Sequence, residues 1–169
     1  SLLYVSANRP RMQEKARVHS CDAVIFDLED SVAIEEKNEA RKTMANHLAR
    51  PFPKPFLIRV NAMDTEFYQD DLSLLEHSNP EAILTKANQD FLVTAGSGLD
   101  ELGPDKRSIG ILPLIETALG VETILGIMEA SARVIGAQLG AEDLTADLGI
   151  RRTETGGKSP MPGTGWSME

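Results

Sequence analysis

The residues best suited to chemistry are charged or amide side chains that follow short apolar runs of the chain. Such runs are typical of buried strands, and the carboxyl ends of parallel strands meet at one edge of a sheet. Carboxylates gathered there bind hard cations such as Mg²⁺, and an arginine binds a substrate carboxylate through paired N–H donors. The side chains in question are Asp27, Glu29 and Asp30; Arg59 and Asn61; Lys86; Glu116; and Glu142 with Asp143.

Each acid of this set also has a simpler interpretation as the N-cap of a following helix, which is the commoner role of a lone Asp or Glu. Five strand ends carrying both acids and bases are harder to explain by capping alone. The set therefore favours a metal and anion site, in which Glu116 and Asp143 could supply carboxylates to Mg²⁺ and Arg59 could bind a substrate carboxylate.

The elements that must position these side chains alternate between short apolar runs and longer stretches of helical periodicity, which predicts an α/β fold with a parallel sheet. The predicted strands are Leu2–Ser6, Ala23–Asp27, Phe56–Val60, Ala82–Thr85, Ile109–Ile115 and Val134–Leu139. The predicted helices are Pro10–His19, Ile34–Ala49, Thr65–Glu76, Asn88–Glu101 and Gly120–Ala130, with a short helical turn beginning near Asp143.

Composition excludes several classes of function. A net charge of −9 with scattered basic residues disfavours nucleic acid and anionic membranes as partners, and no apolar run approaches the length of a membrane span. The single cysteine, Cys21, predicts a small buried side chain and a reducing, cytoplasmic location. The three histidines lie away from the strand ends and are expected at the surface, so no Cys/His set indicates a zinc site; they are His19, His47 and His77.

The charged run in the second predicted helix reads as a solvated outer face. It comprises Glu35, Glu36, Lys37, Glu39, Arg41 and Lys42. Because such runs usually face solvent, no chemistry is assigned to them.

Six stretches of the chain together resemble the citrate lyase beta-subunit-like branch of the aldolase/citrate lyase (HpcH/HpaI) superfamily. They occur in family order and cover the chain to about Arg152. They are SLLYVSANRP, CDAVIFDLEDSVAIEEKNEAR, FLIRVNAMDTEFYQDDL, ILTKAN, LPLIETALGV and GAEDLTADLG.

This resemblance implies a TIM (β/α)₈ barrel and a Mg²⁺-dependent carbon–carbon lyase. The enzyme would cleave a 3-hydroxyacyl-CoA such as citryl-, citramalyl- or malyl-CoA into a 2-oxo acid and acetyl-CoA, or form it from them. Glu116 and Asp143 match the Mg²⁺ ligands of the family. Arg59 and Glu116 match its substrate-binding positions, and Arg59 also matches a catalytic residue. The acidic motif Asp27, Glu29 and Asp30 matches the support of the metal's water shell, and Lys86, Asn61 and Arg9 are possible further contacts.

The chain provides six of the eight βα units of such a barrel. Residues 1–152 are therefore expected to form a partial barrel domain, and residues 153–169, which match nothing in the family, to be coil. The family's general acid/base is expected in the absent units, so no residue here receives that role. Unpaired strands at both sheet edges predict a homo-oligomer.

Two alternatives remain open at this stage. The same strand-end residues would serve a metal-dependent aldolase of the superfamily that releases pyruvate without CoA. The other alternative is an inactive truncated subunit that keeps the ligands but does not turn over.

Overall fold

The computed structural model describes residues 1–86, 89–106 and 108–150, and in this part the strands form a single six-stranded parallel sheet. The strands lie side by side in chain order, as successive right-handed βα units place them. They are β1 (Leu2–Ser6), β2 (Ala23–Asp27), β3 (Phe56–Arg59), β4 (Ala82–Lys86), β5 (Gly110–Ile115) and β6 (Gln138–Leu139).

Helices lie between successive strands along the chain, and one further helix follows β6. They are α1 (Pro10–Val18), α2 (Lys37–Leu48), α3 (Tyr68–Ser73), α4 (Gln89–Glu101), α5 (Ala118–Glu122), α6 (Ile124–Glu129) and α7 (Ala141–Asp147). Short 3-10 turns at Ile34–Glu36, Leu74–Glu76 and Pro104–Lys106 precede or follow three of these elements.

Alternate strand residues belong to two separate apolar clusters, because successive side chains of a strand point to opposite faces. Val24, Phe26, Ile58, Ile83 and Ile111 pack against helix residues on the outer face. The inner cluster contains Ala23, Ile25, Leu57, Ala82, Leu84 and Leu114. The inner face is thus the interior of a curved sheet, and the outer face is covered by helices.

The sheet curls enough for side chains of its first and last strands to meet across the inner face. Gln138 on β6 donates a hydrogen bond from Nε2 to the Tyr4 hydroxyl on β1, at 2.8 Å. The described residues therefore form an α/β half-barrel, which confirms the predicted parallel α/β fold as far as six units. The expected coil at 153–169 lies outside the described residues.

Predicted element bounds differ from the structure mainly in the last third of the chain. The predicted strand Val134–Leu139 pairs through a single bridge at Val134 and a ladder at Gln138–Leu139 only, with a glycine at position 136 between them. The predicted helix Gly120–Ala130 begins earlier, because the Thr117 side chain accepts a hydrogen bond from Gly120 N at 3.0 Å and caps α5. It is also divided at Thr123 into α5 and α6.

Two expectations about solvent exposure are wrong. In the charged run of α2, Lys37 and Arg41 are buried at 5% and 8% exposure, because each finds acceptors beneath the helix. His47 is buried too, packed among Phe26 and Phe52. Cys21 is half-buried and packs against the outer core.

Candidate metal and substrate site

The predicted strand-end residues come together at the carboxyl edge of the half-barrel. The parallel register places Asp27 beside Arg59 on neighbouring strands and Lys86 beside Leu114, two residues before Glu116. Alternation then points Arg59 and Lys86 to the inner side, where each contacts acidic residues from other elements.

Arg59, at the end of β3, contacts the loop of residues 28–31 that follows β2, which we call the acidic loop. Its Nη2 is 2.5 Å from Glu29 Oε2 and 2.7 Å from Asp30 Oδ2, and its Nη1 is 3.8 Å from Asp27 Oδ2. Burial alone would lower the pKa of Arg59, but Glu29, Asp27 and Asp30 outweigh it and raise the pKa. The guanidinium is therefore a permanent cation on a largely buried side chain.

Glu29 and Asp30 form an unequal pair of carboxyls. Burial raises the pKa of Glu29, and a hydrogen bond with Asp30 raises it further, against the opposing charges of Arg59 and Lys86. Burial would also raise the pKa of Asp30, but the hydrogen bond with Glu29 and the charge of Arg59 lower it. The two carboxyls share one hydrogen bond and therefore titrate as a pair.

Lys86 connects the acidic loop to Glu116. Its Nζ is 3.4 Å from Glu29 Oε1 and 3.3 Å from Glu116 Oε1. Burial would lower the pKa of Lys86, and the two glutamates raise it instead. One lysine charge is thus shared by two carboxylates, one in the loop after β2 and the other directly after β5.

Glu116 and Asp143 face each other where β5 ends and α7 begins. Burial raises the pKa of Glu116; Lys86 opposes this, and the neighbouring Asp143 carboxyl raises it further. The Oε2 atom of Glu116 is buried without a hydrogen-bond partner in the described structure. A cation between the two carboxylates would supply the missing partner and relieve their repulsion.

Gly140 leaves room for this arrangement. A Cβ at position 140 would lie 3.0 Å from Glu116 Cβ and 3.3 Å from its Oε2. A side chain there would displace the Glu116 carboxylate, so the glycine before α7 maintains the geometry of the site.

A cavity of about 180 Å³ opens between these groups. Its lining includes Arg59, Glu116 and Asp143 together with Asp30 and Tyr4. Tyr4 was not singled out from the sequence, because a tyrosine inside a strand pattern reads as an ordinary β residue.

Several predicted site residues do not line the cavity: Asp27, Glu29, Asn61 and Lys86. Asp27 accepts hydrogen bonds from the backbone N of Glu29 at 2.9 Å and of Ser31 at 3.2 Å, so it shapes the acidic loop. Asn61 is buried and donates from Nδ2 to Leu28 O at 3.1 Å and to Asp71 Oδ2 at 2.6 Å. Through these hydrogen bonds, both side chains support the main chain of the acidic loop.

Arg9 is exposed at the N-terminal end of α1, where it takes the N-cap position without a side-chain capping bond. It is absent from the residues that line the cavity.

The residue set fits Mg²⁺ better than a metal held wholly by protein side chains. Among the described residues, no cluster of three or more His, Cys, Asp or Glu could hold a metal ion. Mg²⁺ typically takes one or two carboxylates and completes its shell with waters and substrate oxygens. Glu116 and Asp143 meet that requirement next to an open cavity.

Sequence comparisons place the chain among known proteins. The family model described as HpcH/HpaI aldolase/citrate lyase matches residues 1–159. Over 164 residues the chain is 34% identical to citrate lyase subunit beta of Escherichia coli (strain K12), covering 92% of this chain and 54% of that protein. Over 153 residues it is 34% identical to (3S)-malyl-CoA thioesterase of Cereibacter sphaeroides (strain KD131 / KCTC 12085), covering 89% and 52%.

A solved structure resembles the fold as well. The citrate lyase beta subunit of M. tuberculosis, complexed with oxaloacetate and magnesium, aligns with a TM-score of 0.71 and 30% identity. The alignment covers 90% of this chain and 64% of that one. The chain spans about half the length of the curated relatives it matches.

Proposed function

Because the chain belongs to the HpcH/HpaI aldolase/citrate lyase family, we propose that it contributes the metal and substrate site of a Mg²⁺-dependent carbon–carbon lyase acting on CoA thioesters. The observation that carries this proposal is the pair Glu116 and Asp143, which face each other beside Arg59 in one cavity. The reaction breaks the carbon–carbon bond of a 3-hydroxyacyl-CoA to give a 2-oxo acid and acetyl-CoA, or forms it in reverse. Citryl-, citramalyl- and malyl-CoA are the candidate substrates.

The proposed roles follow from charge and position. Glu116 and Asp143 hold Mg²⁺, which when bound supplies Lewis-acid polarisation of a carbonyl group. Arg59 binds the carboxylate of the 2-oxo acid and stabilises negative charge as the bond breaks. Its buried, permanently charged guanidinium is oriented before substrate arrives, so little reorganisation is needed.

The remaining predicted residues act around this centre. Glu29 and Asp30 orient Arg59 and, with Asp27, support the water shell of the metal. Lys86 neutralises part of the acidic charge and is a possible substrate contact. Arg9, exposed near the same edge, is a possible contact for CoA phosphates, whereas Asn61 supports the loop from below.

The finer features of the fold are also proposals. We propose that the half-barrel is part of an eight-unit TIM barrel, as the curl and chain order of the six strands favour. We also propose a cytoplasmic protein that assembles as a homo-oligomer. No helix in the described ranges is long and apolar enough to cross a membrane.

A second function is favoured by the relatives from Cereibacter sphaeroides, which are (3S)-malyl-CoA thioesterases. That reaction hydrolyses the thioester instead of breaking a carbon–carbon bond. The charges of the site would suit a malyl-CoA substrate in either reaction, so only the product distinguishes them.

The experiment assays the protein with citryl-, citramalyl- and malyl-CoA and, separately, with a CoA-free hydroxy-oxo acid, each with and without Mg²⁺. We expect Mg²⁺-dependent release of a 2-oxo acid and acetyl-CoA. Release of free CoA and intact hydroxy acid would indicate the thioesterase. Cleavage of a hydroxy-oxo acid without CoA would indicate the aldolase, and absence of any turnover with metal still bound would indicate an inactive subunit.

A further inference from the structure

Lys37, at the start of α2, is a buried cation that the proposed chemistry does not use. It is 5% exposed, and its Nζ donates to Leu28 O at 2.8 Å and Glu29 O at 2.9 Å. The ammonium also lies 5.5 Å from the ring centroid of Phe67. Both carbonyls belong to the acidic loop, so the lysine holds the main chain between Asp27 and Asp30.

Holding a lysine in this position is costly, which argues against an incidental contact. Among the described residues, its Nζ donates to main-chain carbonyl oxygens and forms no ion pair with a carboxylate. Burial lowers the pKa of Lys37, and the nearby charges of Asp71, Glu29, Asp27 and Asp30 only partly oppose it. Neutral carbonyl acceptors compensate a buried ammonium less fully than a paired carboxylate does.

The loop held by Lys37 is the one that orients Arg59. The Glu29 and Asp30 carboxylates contact the same guanidinium nitrogen of Arg59, at 2.5 Å and 2.7 Å. Fixing the peptide units at Leu28 and Glu29 fixes the points from which these two side chains extend. A chain of direct contacts therefore runs from α2 through the loop backbone to the cavity.

We propose that Lys37 is a positioning residue for the 2-oxo acid, acting through the acidic loop on Arg59. This inference rests on the proposed function. Its consequence is a graded effect. Displacement of Arg59 weakens binding of the 2-oxo acid most, while Mg²⁺ binding changes less, because the proposed metal ligands Glu116 and Asp143 lie on other elements and the loop only supports the metal's water shell.

The test compares Lys37→Met with Lys106→Met in the full-length chain. Lys106 is a matched control, because it is 8% exposed and donates to Ser78 O at 2.9 Å and Asn79 Oδ1 at 2.8 Å, away from the cavity. Calorimetric titration measures the affinity for Mg²⁺ alone and then the affinity for oxaloacetate with Mg²⁺ present. We expect Lys37→Met to weaken oxaloacetate affinity about tenfold and Mg²⁺ affinity less than about twofold. Lys106→Met should change neither affinity.

Steady-state condensation kinetics separates positioning from general damage. We expect Lys37→Met to raise the KM for oxaloacetate about tenfold and to leave the KM for acetyl-CoA nearly unchanged. A purely structural role would lower kcat through loss of folded enzyme and move neither KM. In an Arg59→Lys background, Lys37→Met should add little, because the group it positions has gone.

Unchanged oxaloacetate affinity in Lys37→Met, or full additivity with Arg59→Lys, would overturn the inference. If Lys37→Met does not fold, Lys37→Gln keeps a shorter, neutral N–H donor group and should give an intermediate loss of oxaloacetate affinity, and wild-type affinity in that variant would count against the proposal. Failure of the wild type to bind Mg²⁺ and oxaloacetate would instead sink the proposed function.

Discussion

At the scale of single residues, the site concentrates unlike charges around Arg59 and like charges at Glu116. The three carboxylates around Arg59 form a fixed environment for a planar cation. The two carboxyls at Glu116 and Asp143 leave a buried oxygen without a partner. The first arrangement fixes the orientation of one cation, and the second suits a metal.

Arg59→Lys should reduce condensation or cleavage kcat/KM about a hundredfold, because an ammonium cannot make the paired contacts of a guanidinium. Arg17→Lys is the control: Arg17 is a mostly buried arginine whose side chain is 12% exposed and packs over Phe52, away from the cavity. It should leave kcat/KM nearly unchanged. Near wild-type activity of Arg59→Lys would remove the bidentate role.

Glu116 should make the metal-free protein less stable as pH rises. Burial, followed by the charge of Asp143 acting against Lys86, raises the folded-state pKa of Glu116 above its ordinary value of about 4.3. The folded state therefore binds the proton more tightly than the unfolded state, and the stability that this contributes is lost as pH rises through the folded pKa.

When a chelator keeps the protein metal-free, Glu116→Gln should therefore be more stable than the wild type near pH 7. Near about pH 4 the two proteins should have similar stability. Urea unfolding at several pH values measures the difference, and Glu122→Gln, an exposed glutamate, should behave as wild type. Excess Mg²⁺ should reverse the order by stabilising only the wild type. A Glu116→Gln protein less stable than wild type at every pH would contradict the raised pKa.

The strand-end residues could be predicted from sequence because apolar runs mark the strands and polar residues mark their ends. Lys37, Arg41 and His47 could not. Their burial depends on acceptors and apolar neighbours that are distant in the chain, such as Asp71 for Arg41. A helix with charges at these positions looks the same whether it faces solvent or covers a polar network.

At the scale of elements, α2, β3 and α3 are connected by a buried polar network. Arg41 Nη1 donates to Asp71 Oδ1 at 2.8 Å, and Asp71 Oδ2 accepts from Asn61 N at 2.8 Å. Burial raises the pKa of Asp71, although the hydrogen bonds from Asn61 and Arg41 oppose it. The network anchors Asn61, which contacts the acidic loop at Leu28 O.

Arg41→Met should destabilise the fold by about 3 kcal/mol, because it leaves the fully buried Asp71 without its cation. Lys42→Met, the next residue of α2, removes an exposed pair with Glu39 and should change the free energy of unfolding by less than about 0.5 kcal/mol. Urea unfolding of both variants tests the contrast. Equal effects would mean that the buried pair contributes no more than the exposed one.

Element positions were predicted well where an apolar run is continuous, and less well at β6. Strands β1 and β2 have the predicted bounds. In the stretch from Val134 to Leu139 the apolar pattern is interrupted by a glycine at position 136, and only its ends pair with β5. Pairing there depends on the tertiary fit to Ile111 and Leu114, which local pattern does not record.

At the scale of the whole molecule, exposed apolar side chains gather at one end of the half-barrel. Many large exposed hydrophobic residues lie between positions 119 and 150, on α5, α6, β6 and the region of α7. They are Leu119, Val121, Ile124, Leu125, Ile135, Leu139, Leu148 and Ile150. A concentration of exposed apolar side chains in one part of the fold favours association.

Leu125→Ser should shift the protein toward smaller assemblies, because Leu125 is 76% exposed within this apolar region. Val18→Ser is the control, since Val18 is 88% exposed but stands at the end of α1, away from the region. Light scattering across a dilution series measures both. A mass distribution that Leu125→Ser leaves unchanged would exclude this face as the contact between copies.

The most direct measurement of the central claim is a crystal structure of the full-length chain soaked with Mg²⁺ and oxaloacetate. We expect a single octahedral cation bound to carboxylate oxygens of Glu116 and Asp143 at about 2.1 Å, with the oxaloacetate carboxylate paired to Arg59. A cation bound away from both carboxylates, or oxaloacetate bound without contact to Arg59, would contradict the site proposed here.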